Sequence, residues 1–422
     1  MTQTTQEKTN SKFYGWIIVA ACFLLSATST GLLTNLNSLF ISPAVETLKV
    51  NQSTFMLFST LAMFASMVAT PFIGPLFRKH SARKLIMIGG ILGGCTHIIY
   101  SFATSVWFFY IGGVLAGTCS GLFGTVPMNL LLSNWFYEKR GTMTGIAFTG
   151  SSLITSVLSP VVSKLIEMYG WRSTYRILAL SIIVIVLLTT LLIRVAPEDI
   201  GQKPYGTANK TAEEIKPTGF MRSAAMKKSW FWLYAIAIFM IGLIVSGTSQ
   251  QLVTYWTSEG LSAGKAATLY SVVMLVGLVA KIFLGNVFDH FGTSKSILIC
   301  GFICAGAFLS LAFCLGNISA FIPVVLFGIV TAELVIVPSF TVSRVFGRLD
   351  YASNVSLFTT ILFLGSAVGI PLCAVIFDFT GSYKIAWILY AVIAVVLTIL
   401  FFISNSLSIK AFKNELNIDR ED

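Results

Sequence analysis

The sequence predicts an all-α membrane protein with twelve transmembrane helices in two six-helix repeats. Three observations predict it. Hydrophobic residues make up 55% of the 422-residue chain and charged residues only 11%, whereas a soluble domain carries about a quarter charged residues. Apolar windows of about 20 residues recur along the whole length, and each can cross a bilayer as a helix. Glycines, prolines and charges of the first half recur in the second at one fixed offset, as Gly31 with Gly242 and Pro127 with Pro338. Only helices and closed barrels satisfy every backbone group in lipid. Barrel strands alternate polarity over about 10 residues, and these runs are longer and uniformly apolar.

In chain order, residues 1–12 form a polar tail. The apolar run behind it is too long for the core of a signal peptide and is expected to stay in the membrane. Spans follow near 14–40, 54–77, 84–104, 107–132, 141–168 and 176–196, making a first half over 13–196. The segment 197–229 contains "APEDIGQKPYGTANKTAEEIKPTGF" and reads as a linker, rich in Pro, Gly and charge. The second half, 230–407, holds spans near 230–256, 264–288, 295–316, 319–343, 350–378 and 383–407, before a tail over 408–422. The seven cysteines all fall inside apolar runs and are expected to be packed free thiols.

Positive charge orients the chain. With the N-terminus inside, 21 of the 28 Lys and Arg lie on cytoplasmic segments and six on outer loops, which leaves Lys281. Both termini are therefore expected in the cytoplasm, with the protein in the plasma membrane. The net charge of +11 follows from this topology, so no nucleic-acid partner is expected.

The internal repeat also pairs Gly74 with Gly285, Lys84 with Lys295, Gly117 with Gly328, Pro160 with Pro371 and Gly170 with Gly381, while Glu167 falls on Asp378. Coincidence does not keep one register over five spans. Parallel repeats about an axis normal to the membrane are a transporter architecture, with the binding site near the midplane between the halves. Over essentially its whole length the sequence resembles the major facilitator superfamily. That superfamily's loop signature follows span two as "GPLFRKHSAR" and span eight as "GNVFDHFG". The first copy keeps Gly74 but has Arg78 in place of the acid; the second keeps Gly285, Asp289 and Gly292. A narrower resemblance lies in "FYGWII" (13–18), "NWFYEKRGTMTGIAFTGSS" (134–152) and "YGWRSTYRIL" (169–178), which are similar to bacterial oxalate–formate exchangers and monocarboxylate transporters.

Ionisable residues inside spans are functional candidates by default. Gly277, Lys281, Gly285 and Asp289 recur at four-residue steps and form one slanting stripe on span eight. On the functional reading, the glycines leave open volume and Lys281 presents a fixed positive charge to an anion. The resemblance implies the same, because those families engage the substrate carboxylate with an arginine at this place. Two plainer readings stand beside it: snorkelling toward the cytoplasmic end, about 10 Å away, and glycines used for helix packing. The families' preceding acid is Gly277 here, and their span-one lysine falls on Thr34. With one cavity cation, a monoanion is expected rather than a dianion.

Glu333, near the middle of span ten, is expected either to be protonated or to pair with Lys281, and to carry the coupling proton; a neutral structural glutamate is the alternative. Asn35, Gln250 and Tyr270 are candidate substrate contacts, and His97 is expected to be a satisfied structural histidine. No phosphate loop, hydrolytic triad or metal cluster is present in the sequence, so neither an enzyme nor a cofactor is expected. The expected function is a secondary transporter for a small organic anion of the monocarboxylate kind, exchanged or carried with a proton by a monomer. The rivals are a proton-driven exporter of drugs or other amphipathic solutes, in which Glu333 recognises a cation, and a transporter-like sensor.

Overall fold

The computed structural model describes residues 13–136, 140–206, 219–313, 321–347 and 349–416. Among them every regular element is helical: α1 Gly15–Ser26, α2 Ile41–Leu48, α3 Gln52–Lys79, α4 Ala82–Ser101, α5 Val106–Phe123, α6 Thr125–Trp135, α7 Arg140–Leu192, α8 Arg222–Ala225, α9 Ser229–Ser258, α10 Ala263–Phe313, α11 Phe321–Phe346, α12 Tyr351–Thr380 and α13 Lys384–Leu416. Among the described residues ten helical stretches are long and apolar enough to cross a membrane. One of them, Thr142–Leu192, holds two spans, and the shorter apolar Phe321–Leu334 supplies another. The chain is a multi-pass membrane protein.

Two of the expected spans are broken. Span one runs from α1 into a π-helical segment, Ala27–Leu32, and then a 3-10 segment, Asn35–Leu39. Hydroxyls compete for the ladder here: Thr28 Oγ1 donates to the Leu24 and Leu25 carbonyls at 3.0 Å, and Ser29 Oγ to Leu25 at 2.7 Å. Span four stops at Gly124 between α5 and α6, where Pro127 has no N–H for the carbonyl four residues earlier. Conversely, α7 and α10 each join two spans in one long helix that turns at a single glycine in the left-handed region, Gly170 (φ 75°) and Gly292 (φ 75°). The repeat mate of Gly170, Gly381, has φ 69°, whereas Ser81, the mate of Gly292, has φ −58°. The loop glycine is thus retained where the backbone requires it and replaced where it does not.

The repeat offset holds in three dimensions. A Cβ on Gly31 would lie 3.2 Å from the Ser151 carbonyl oxygen, and one on Gly242 3.2 Å from the Leu362 carbonyl carbon. A Cβ on Gly117 would lie 2.8 Å from the Ala62 carbonyl carbon, and one on Gly328 3.0 Å from the Val273 carbonyl oxygen. Residues 151 and 362, and 62 and 273, are themselves one repeat apart. Small residues let helix backbones approach in a bilayer, where no hydrophobic effect drives them together. At Gly369 an added methyl would sit 2.7 Å from the Leu243 Cα. Gly369→Ala is therefore expected to cost about 1–3 kcal/mol through overpacking, read as a lowered melting temperature of the purified protein in detergent.

The halves meet where α7 packs on α10 and α3 on α12. Toward the end that the charge count places outside, polar groups bridge them. Gln52 Nε2 donates to the Tyr383 hydroxyl at 2.7 Å and to Gln251 Oε1. The Ser53 N–H at the start of α3 donates to Asp378 Oδ2 at 2.9 Å, so an acid of the second half caps a helix of the first. Thr60 Oγ1 adds a bond of 3.0 Å to the Ala367 carbonyl.

Candidate functional site: a lysine between the two halves

Lys281 sits partly buried on the first limb of α10, and its ammonium donates to Ser152 Oγ on α7 at 2.7 Å. The bond crosses from one repeat to the other. Among the described residues Lys281 has no carboxylate partner and no second hydrogen bond. The same helix pair carries the contact between Ser156 and Ser271, whose hydroxyls are 3.2 Å apart. An ammonium drawn out of water and held by one neutral hydroxyl remains an uncompensated charge, and such a charge favours an arriving anion.

Glu333 lies elsewhere. Its carboxyl is buried in a cavity of about 20 Å³ inside the second half, beside Cys300, Cys304 and Thr398, with room for about one water. Glu333 Oε1 is buried without a hydrogen-bond partner. The structure does not bring Lys281 and Glu333 together, because Glu333 points toward spans nine and twelve. Gly277 does not leave open volume beside the ammonium either. A Cβ there would strike the Thr331 hydroxyl and lie 3.1 Å from the Gly328 carbonyl oxygen, so this glycine serves the packing of α10 on α11.

The remaining candidates gather nearer the latched end. Tyr270 OH donates to the Asn35 carbonyl at 3.3 Å, and Asn35 Nδ2 to Thr155 Oγ1 at 3.3 Å, so two of them meet across the halves. Gln250 closes a cavity of about 50 Å³ lined by Thr34, Asn37, Ser59, Ser66 and Ser120. This cavity adjoins both broken spans, and Gln250 Oε1 is buried there without a partner. Tyr270 lies about 16 Å along its helix from Lys281, at eleven residues of 1.5 Å rise, so these residues and the lysine occupy different depths. His97 is fully buried edge-on to Tyr175, with centroids 5.2 Å apart. Neither of its ring nitrogens has a hydrogen bond of normal geometry, so it is a packed histidine rather than a satisfied one. The side chains of Gly74, Arg78, Gly285 and Asp289 lie outside the described residues.

The sequence pattern of the Major Facilitator Superfamily matches residues 19–343, well over half the chain. The chain belongs to this superfamily. It is accordingly a membrane transporter and not an enzyme. Monocarboxylate transporter 12-B of Danio rerio is 27% identical over 314 residues, 69% of this chain and 65% of that one, just under two thirds of the relative's length. Monocarboxylate transporter 2 of Homo sapiens is 22% identical over 431 residues, 95% of this chain and 87% of that one. The nucleoside transporter NupG superposes with a TM-score of 0.71 at 15% identity, covering 93% of this chain and 99% of that one, a likeness of fold alone.

In this transporter two of the stretches that carry the narrower resemblance, 13–18 and 134–152, meet in space. Phe13 packs edge-on against Trp135 and Phe136 at 5.8 and 5.7 Å. Trp135 Nε1 donates to the Arg194 carbonyl at 2.9 Å, and the Tyr14 N–H to Gln202 Oε1 at 3.0 Å, so the cluster ties the two ends of the first half to the start of the linker. Tyr175 stacks on Phe40 at 3.9 Å and its hydroxyl donates to Asn37 Oδ1 at 3.4 Å, at the wall of the larger cavity. Ser152, the last residue of "NWFYEKRGTMTGIAFTGSS", is not singled out by its sequence context. Its position in a motif, opposite the isolated span-eight charge, is the signal available.

Proposed function

We propose that the chain is a secondary active transporter that moves a small monocarboxylate across the plasma membrane by alternating access. A proton or a counter-substrate supplies the coupling, and both termini face the cytoplasm. The observation that carries this reading is the Lys281 ammonium, placed between the repeats with no carboxylate among the described residues to neutralise it. The monocarboxylate transporters among the relatives and the resemblance of the motifs support the same substrate class. The outer-end bonds fit a conformation closed on that side, from which the substrate reaches Lys281 from the other. The carboxyl of Glu333, enclosed away from Lys281, gives an exporter of cationic drugs little support. The test is uptake of labelled lactate, pyruvate and formate into proteoliposomes. Saturable uptake of at least one is expected; none, together with drug resistance conferred on a sensitive strain, would favour the exporter.

Within this reading Glu333 holds the coupling proton and acts through α11. Thr331, two residues earlier on that helix, touches α10 at Gly277, one turn from Lys281. Glu333→Gln keeps the shape of a protonated carboxyl and cannot release the proton. The variant is expected to transport while losing its dependence on an imposed pH gradient. Coupling that survives unchanged in Glu333→Gln removes Glu333 from the role.

A further inference from the structure

We propose that Ser152 and Lys281 together form a two-donor clamp for the substrate's carboxylate, with one donor supplied by each half of the molecule. This rests on the monocarboxylate reading above and adds a specific second contact to it. The Ser152 hydroxyl has one donor hydrogen and two acceptor lone pairs, and the ammonium has three donors. In the structure the ammonium uses one N–H on Ser152 Oγ. Among the described residues the Ser152 O–H has no acceptor, although neighbouring Ser151, Thr155 and Ser159 donate to the carbonyls of Phe148, Ser151 and Thr155 on their own helix. Ser152 and Ser156 are the hydroxyls on this face of α7 that turn to α10 instead of their own helix: Ser156 pairs with the Ser271 hydroxyl, and Ser152 meets the ammonium.

Both groups therefore keep a free donor while their mutual bond holds them 2.7 Å apart. A carboxylate offers two acceptor oxygens on one carbon. One takes an ammonium N–H and the other takes the serine O–H, and the Lys281–Ser152 bond need not break. Lysine by itself is a point charge without the fork that lets arginine grip a carboxylate at two points. Ser152 supplies the missing second donor, which accounts chemically for a lysine where the resembling families carry arginine. Because the two donors belong to different repeats, the bound carboxylate also ties the halves to each other at that level. The clamp discriminates by shape: a carboxylate engages both donors fully, while a primary amide of the same skeleton presents one acceptor and two hydrogens.

The test compares wild type with Ser152→Ala, Ser152→Thr, Ser156→Ala and Lys281→Ala in proteoliposomes, using labelled lactate with lactamide as competitor. Melting temperatures in detergent, with and without lactate, provide a readout independent of transport. Loss of one hydrogen bond to a charged group is expected to raise KM for lactate in Ser152→Ala roughly 10- to 100-fold, with kcat nearly unchanged. Ser152→Thr, which keeps the hydroxyl, and Ser156→Ala, which removes a neighbouring cross-half contact, are expected to stay within a few-fold of wild type. Lactate is expected to raise the melting temperature of wild type and Ser152→Thr but not of Ser152→Ala, and the preference for lactate over lactamide is expected to shrink in Ser152→Ala. An unchanged KM and preference in Ser152→Ala, with Lys281→Ala inactive, overturns the clamp and leaves the lysine site standing. Wild type that neither binds nor moves any monocarboxylate overturns the reading and the clamp together.

Discussion

Replacing Lys281 with alanine is expected to reduce monocarboxylate uptake to near background. The reason is the imbalance at the site: an ammonium drawn out of water, one neutral hydroxyl beside it and no acid among the described residues in reach. The effective cost of desolvating an ion in a protein is several kcal/mol, and an arriving carboxylate offsets it directly. Removing one partner of a buried, hydrogen-bonded charge pair costs about 2–5 kcal/mol, which is roughly a 30- to 5,000-fold loss of affinity. Lys281→Arg keeps the charge but replaces a flexible point donor with a planar fork. Partial uptake with an altered KM is therefore expected. Initial rates of labelled lactate or pyruvate uptake measure both variants, and melting temperatures establish that each is folded. Full uptake by folded Lys281→Ala would show that the amine only snorkels toward the interface, and the anion site would have to be sought at the larger cavity around Thr34 and Gln250.

What the sequence disclosed and what it concealed follow one physical division. The repeat was legible because close backbone approach excludes a side chain: Gly31 and Gly242, or Gly117 and Gly328, meet equivalent partners in the two halves. Lys281 was legible because a charge in an apolar run is costly wherever the fold places it. Ser152 was not, since a serine in "GSSLITSVLS" looks like any hydroxyl bonded back to its own helix. Only its placement against α10 separates it from Ser151 and Thr155. The four-residue stripe from Gly277 to Asp289 did not disclose its neighbours: Lys281 meets α7, and α11 fills the space beside Gly277. The breaks in spans one and four were hidden for a related reason. Thr28, Ser29 and Pro127 disturb a helix only mildly in isolation, and what shows their effect is the cavity that the two broken spans share. For Glu333, mid-span depth was legible, but which of two faces it occupied was not.

Linking α3 to α12 at the outer end is expected to arrest transport almost completely. The bonds there, from Gln52 to Tyr383 and Gln251 and from Ser53 to Asp378, join the two repeats away from Lys281. Each contributes only about 1–3 kcal/mol net, so thermal motion can open the set within a transport cycle; a covalent link cannot open. Ser53→Cys combined with Asp378→Cys, joined by a short cleavable bifunctional thiol reagent, places that link at the helix cap. Uptake is expected to fall to background on linking and to return on cleavage, while either single variant treated alike keeps most of its activity. The described native cysteines are free, and all of them but the half-buried Cys95 are buried, which limits reaction elsewhere. Mass spectrometry of the linked peptides verifies the link itself. The arrest would mean that this end has to separate in every cycle, as alternating access between the repeats requires. Undiminished uptake with the link in place would mean that substrate reaches Lys281 without α3 and α12 parting, and the outer route would then have to run elsewhere between the halves.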